Sequence, residues 1–127
     1  MPLVRVSLPA SMQQRAPQIG ESIHQALMET INVPAGDRFQ VFTEHAPGTL
    51  VIDPAYLGIE RSEEAILVQI TISSGRTVEM KKALFAKIAE RLARVPGMRK
   101  EDVFVNLVEV AKENWSFGNG IAQYADK

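Results

Sequence analysis

The sequence predicts an α+β domain built from a repeated β-α-β unit, with four strands in one mixed sheet and two helices on one face. Three observations carry this. Apolar residues alternate with a period of two in the strand segments and recur every four residues in two longer segments. The elements follow one another as β-α-β and then β-α-β again. Shifting the chain by 65 residues lays the second set on the first: Ile19, Ile23 and Leu27 fall on Leu84, Ile88 and Leu92, Phe39 on Phe104, Phe42 on Leu107, and the carboxylates Asp37 and Glu44 on Asp102 and Glu109. Apolar stripes align easily by chance, so the two acidic matches carry most of the extra weight.

In chain order, Pro2 to Leu8 alternates Leu3, Arg5 and Ser7 with Val4, Val6 and Leu8 and reads as a strand. Ala16 to Asn32 places Ile19, Ile23, Leu27 and Ile31 on one helical stripe, and Pro34 ends the helix because the residue before proline is pushed out of helical geometry. His24, one step from Ile23, falls on the polar side and reads as a solvated surface residue. Arg38 to Glu44 is a second strand. His45 to Glu64 is rich in breakers, with Leu50-Val51-Ile52 as a short edge strand. Ala65 to Ser73 is the clearest strand. From Thr77, a suitable N-cap, a helix runs to Val95 with Met80, Leu84, Ile88 and Leu92 buried, and Pro96-Gly97 stops it. Val103 to Glu109 is the last strand. One domain, 1–127, thus contains repeats at about 2–45 and 65–109 and a tail at 110–127. One face of such a sheet is left bare, and self-association is the simplest cover for it.

Composition narrows the function classes. The chain has 14 basic and 15 acidic side chains, a formal charge of −1, 46% apolar residues and no cysteine. That balance argues against a nucleic-acid partner, which requires a clustered basic surface. No apolar run approaches the roughly 20 residues of a bilayer span, and the start has no signal-peptide pattern, so a cytoplasmic location is expected, without a membrane partner. Thiolate nucleophiles, disulfides and zinc-thiolate sites are excluded. Two histidines are too few and too far apart for a familiar metal motif, so no metal and no cofactor are expected.

The chemistry-bearing feature is Met1-Pro2 at the head of a strand. A small second residue permits removal of the initiator methionine, leaving Pro2 with a secondary amine on a rigid ring. An α-amino group titrates near 7.7–8.0. Burial that lowers it by roughly two units (about 2.7 kcal/mol against the cation) leaves a competent general base at neutral pH.

Val33-Pro34-Ala35-Gly36-Asp37-Arg38-Phe39-Gln40-Val41, Leu50-Val51-Ile52, Leu57-Gly58, Arg61-Ser62, Arg76-Thr77 and Asn114-Trp115-Ser116-Phe117-Gly118-Asn119-Gly120 extend over nearly the whole chain. With the Met-Pro start and the doubled β-α-β, they make the chain resemble the tautomerase superfamily, and within it the malonate semialdehyde decarboxylase group. The resemblance implies a homotrimer with a small apolar site around each Pro2 and a small carboxylate substrate. It implies Pro2 as the catalytic amine, Asp37 as the acidic residue assisting with water or the proline proton, and Arg76 as the carboxylate-binding cation. Trp115 and Phe117 would form the aromatic wall.

Arg76 stands at a helix start, the unfavourable end for a cation, which favours a functional over a structural reason for its presence. Ser74-Gly75-Arg76-Thr77 departs from the decarboxylase pattern, which has two arginines flanking a proline, and Arg38 and Arg61 are the candidates for a second cation entering from a neighbouring subunit. The expected activity is keto-enol tautomerisation of small 2-keto acids or their enols with Pro2 as base and acid. Malonate semialdehyde decarboxylation or hydration, with cationic Pro2 and Asp37, is the alternative. A trimeric binding protein without catalysis is the reading from a different class.

Overall fold

The computed structural model describes residues 1–127. Strand β1 (Leu3–Pro9) leads through a short 3-10 turn into helix α1 (Ala16–Ile31), followed by β2 (Phe39–His45). The second unit is β3 (Ile66–Ser73), α2 (Val78–Leu92) and β4 (Val103–Val110). The sheet order is β2-β1-β3-β4, parallel within each unit and antiparallel where β1 meets β3. This is the mixed four-stranded sheet and helix pair expected from the periodicities.

Period-two alternation sends Val4, Val6 and Leu8 of β1 and Ile66, Val68, Ile70 and Ile72 of β3 inward, all essentially inaccessible. They pack on Ile19, Ile23 and Leu27 of α1 and on Leu84, Ile88 and Leu92 of α2, forming a single core. The opposite face carries Leu3, Phe39, Val41, Phe104 and Val108, and four of these (Phe39, Val41, Phe104 and Val108) remain substantially exposed. Thr77 caps α2 by accepting from the Met80 amide at 3.2 Å, and α1 ends at Asn32 in the left-handed region. Pairing sets Leu3 beside Phe39 and Leu67 beside Phe104. The first strands therefore sit one residue out of step with the 65-residue shift that aligns the helices and second strands.

Two details differ from expectation. His24 is buried, 5% exposed, and its Nε2–H donates to the Ala35 carbonyl oxygen at 2.9 Å, the tautomer being set by an acceptor that cannot donate. The buried face of α1 is wider than one stripe, taking in Gly20, His24 and Ala26, because the helix meets the sheet, α2 and the 32–38 loop together. Leu50–Ile52 forms no strand. With Pro47-Gly48 before it and Pro54 after it, the segment has no room to build a ladder.

The matched aspartates have matched jobs. Asp102, 2% exposed, accepts from the Ser62 amide at 2.7 Å and from the Ser62 hydroxyl at 2.6 Å, tying down the approach to β3. Asp37 performs the corresponding task at the head of β1, described below. Glu44 and Glu109 share no such role, since Glu109 pairs with Lys81 at 2.8 Å. Asp102→Ala strands a buried amide and removes two charge-assisted hydrogen bonds. It is expected to lower stability by about 2–3 kcal/mol, read as a lower urea midpoint at unchanged slope.

Candidate active site

Because β1 and β3 run antiparallel with Leu3 opposite Thr71, the head of β1 lies beside the end of β3, where the chain turns through Ser74-Gly75 into α2. That geometry brings the amino terminus, Ser73 and Arg76 to one end of the sheet. Parallel pairing of β1 with β2 brings Asp37, two residues before Phe39, to the same end. The tail after β4 then delivers Trp115 and Phe117.

In this form of the chain the terminal ammonium belongs to Met1, and it contacts Asp37 Oδ2 directly. Asp37 is itself held by a turn, its amide donating to the Pro34 carbonyl at 3.0 Å, in the loop that His24 pins through Ala35. Its second oxygen, Oδ1, is buried without a partner. Burial lowers the amine from 8.0 to about 6, and the Arg76 cation adds to the effect. The Asp37 carboxylate acts in the opposite sense, favouring the protonated form it touches.

Ser73, 1% exposed, ties the other parts together. Its hydroxyl donates to Met1 Sδ at 2.9 Å and accepts from Trp115 Nε1 at 3.0 Å, while its carbonyl accepts from Arg76 Nη1 at 2.8 Å. Arg76 is thus anchored through one nitrogen, and its remaining N–H groups have no protein partner. The rings of Trp115 and Phe117 stack at 5.6 Å and 5°, with Phe39 at 5.9 Å and Tyr124 at 5.0 Å from Phe117. The wall lowers the local dielectric and strengthens any carboxylate contact to Arg76.

All five residues singled out from the sequence therefore meet here: Pro2 (buried, between Met1 and Leu3), Asp37, Arg76, Trp115 and Phe117. Of the two candidate extra cations, Arg38 is engaged with Glu21 at 2.8 Å, and Arg61 lies at the far end of the sheet from its own Pro2. Gly75 adopts φ +121°, a conformation closed to proline, so the departure at Ser74-Gly75 changes the backbone of the turn as well as removing a cation. Ser73, Phe39 and Tyr124 were not singled out. Their membership follows from strand register and the path of the tail, neither of which has a local sequence signal.

A strand-end amine against a carboxylate, with an arginine and an aromatic wall, is equipped to move protons on a small anionic carbonyl compound. Comparison with known proteins gives the family. Two family profiles, both described as tautomerase enzyme, match residues 37–118 and 2–59. The chain is 43% identical over 124 residues to the probable tautomerase YusQ of Bacillus subtilis (strain 168), covering 97% of this chain and 98% of that protein. Among solved structures, FG41 malonate semialdehyde decarboxylase inhibited by 3-bromopropiolate is 38% identical with a TM-score of 0.90, covering 96% of this chain and 93% of that one. A second malonate semialdehyde decarboxylase, described with decarboxylase and hydratase activities, is 31% identical with a TM-score of 0.88, covering 96% and 95%. The chain belongs to the tautomerase family. It is an enzyme of the isomerase class, so the reading as a binding protein without catalysis is not carried further.

Proposed function

We propose that the enzyme interconverts the enol and keto forms of small 2-keto acids, with Pro2, made amino-terminal by removal of Met1, as the proton carrier. The supporting observation is the amine pocket itself: the terminal amine of Met1, one residue before Pro2, is part-buried at the head of β1 against Asp37, and burial and the Arg76 cation both lower its basicity. Arg76 holds the substrate carboxylate through the N–H groups that Ser73 leaves unused. The neutral Pro2 nitrogen takes the enol hydroxyl proton and returns it to the adjacent carbon, giving the ketone with no net proton change. Asp37 stabilises the transient prolinium, and the wall of Trp115 and Phe117 excludes water. No helix is long and apolar enough to cross a membrane, and the absence of cysteine fits a cytoplasmic enzyme. The bare sheet face bearing Phe39, Val41, Phe104 and Val108 supports assembly as a homotrimer.

The test is pH dependence. A neutral base predicts that kcat/KM for ketonisation of a phenylenolpyruvate rises with pH as the Pro2 amine loses its proton and then levels off, on protein shown by intact mass to lack Met1. A second reading, decarboxylation or hydration of malonate semialdehyde, is favoured by the spare Oδ1 of Asp37, which could hold a water, and by the likeness to the two decarboxylases. It requires cationic Pro2 and predicts the opposite slope. Absence of ketonisation by correctly processed protein overturns the first reading.

A further inference from the structure

The duplication that creates the amine site also creates its counterpart at the other end of the sheet, and a cavity of about 650 Å³ lies there. The shift of 65 residues carries Trp115 and Phe117 onto Leu50 and Ile52, and Arg76 onto Ser11. The pairing of Ser73 with Val110 has its equivalent in the pairing of Pro9 with His45. Leu50, Ile52, Ser11, Pro9 and His45 all line this cavity. Asp102 stands where Asp37 stands, but it holds the amide and hydroxyl of Ser62 in place of a terminal amine, because the chain runs on unbroken through Ala65. The counterpart has kept its cavity and lost its base.

It has acquired a different cation. Arg61, on the cavity wall, donates Nη1 to the carbonyls of Asp53 at 3.1 Å and Tyr56 at 3.2 Å. Its Nε and Nη2 have no protein partner, and no ion pair of the molecule includes it. The arrangement parallels Arg76, anchored by one nitrogen on a carbonyl with the rest of the fork open. Around it the lining is mainly apolar (Pro9, Leu50, Ile52, Pro54), with Glu63 the one acidic side chain and His45 the other titratable group. The size falls within the range of small-molecule sites.

We propose that this second cavity binds a small monocarboxylate with a short apolar body and does not transform it, with Arg61 gripping the carboxylate. The proposal is independent of the proline-base reading, since it uses neither Pro2 nor Arg76. It is tested by titrating the 15N-labelled, Met1-processed enzyme with propionate. Saturable shifts are expected at the amides of Ser11, Ile52 and Ala65, separately from any shift of the Trp115 indole. Arg61→Gln should weaken the cavity response at least tenfold and leave tautomerase kcat/KM within about twofold. Because Arg61 also pins the 53–56 loop, Leu50→Trp serves as a second variant: it fills the cavity with the ring its counterpart position carries, keeps the Arg61 anchors, and should abolish the same shifts. No saturable shift at those amides overturns the proposal, as does a response that survives either variant. A large fall in tautomerase activity in Arg61→Gln overturns it too, by assigning Arg61 to a neighbouring subunit's amine site.

Discussion

Pro2→Ala enzyme, processed to a free alanine terminus, is expected to ketonise a phenylenolpyruvate at least 10²-fold more slowly than the parent, with unchanged circular dichroism and urea midpoint. A positioned general base contributes roughly 10²–10⁴ to rate. The alanine amine is not held by a ring and rotates freely at the strand head, so its alignment with the substrate is lost. Stability is spared because Pro2 donates no ladder hydrogen bond and the core begins at Val4. A form that retains Met1 should be as inactive as the variant, for a separate reason. There the Pro2 nitrogen is an amide, and Met1 sits in the site with its amine on Asp37 and its thioether on Ser73. Equal rates for Pro2→Ala and parent would remove the proline from the mechanism.

Arg76→Gln is expected to lower kcat/KM by roughly 10²-fold, mostly through KM, the loss of a charged hydrogen-bond donor pair to a desolvated carboxylate amounting to about 2–3 kcal/mol. Arg76→Lys should recover only part of this, since a point charge cannot supply the planar fork. A second readout separates binding from mere loop damage. In the chain that carries Met1, burial and then the Arg76 cation lower the basicity of the terminal amine. If Arg76 acts on Pro2 in the same sense, removing its charge moves the rising limb of the pH profile to higher pH in Arg76→Gln and leaves it in place in Arg76→Lys. An unmoved limb in the glutamine variant would mean that Arg76 does not face the base.

Much of this was legible in the residues because burial is periodic. The stripes of α1 and α2 and the alternation in β1 and β3 report which side of each element meets the core, and the 65-residue match of Asp37 with Asp102 marks a role that both halves keep. His24 was misplaced because a helical wheel assumes one buried face, whereas α1 meets three neighbours and buries a polar ring that has a carbonyl waiting for it. Ser73 was out of reach for a different reason. Its three contacts depend on the antiparallel register of β1 on β3 and on where the tail folds back, both decided by contacts far apart in sequence. Pro2 follows from the Met-Pro start at the head of a strand, whereas Asp37, Arg76, Trp115 and Phe117 follow from resemblance to a family, and only the fold brings the five to one place.

The unbroken backbone at Ala65 has a consequence for how such an enzyme can evolve. A polypeptide possesses a single amino terminus, so joining two β-α-β units end to end halves the number of terminal amines an assembly can carry. On the proline-base reading, one half carries the chemistry, and the residues around Pro2 are constrained by it. The other is free of that constraint while still having to fold, so on that reading Ser11, Arg61 and Leu50, which line the cavity at the other end of the sheet, can change without silencing the enzyme.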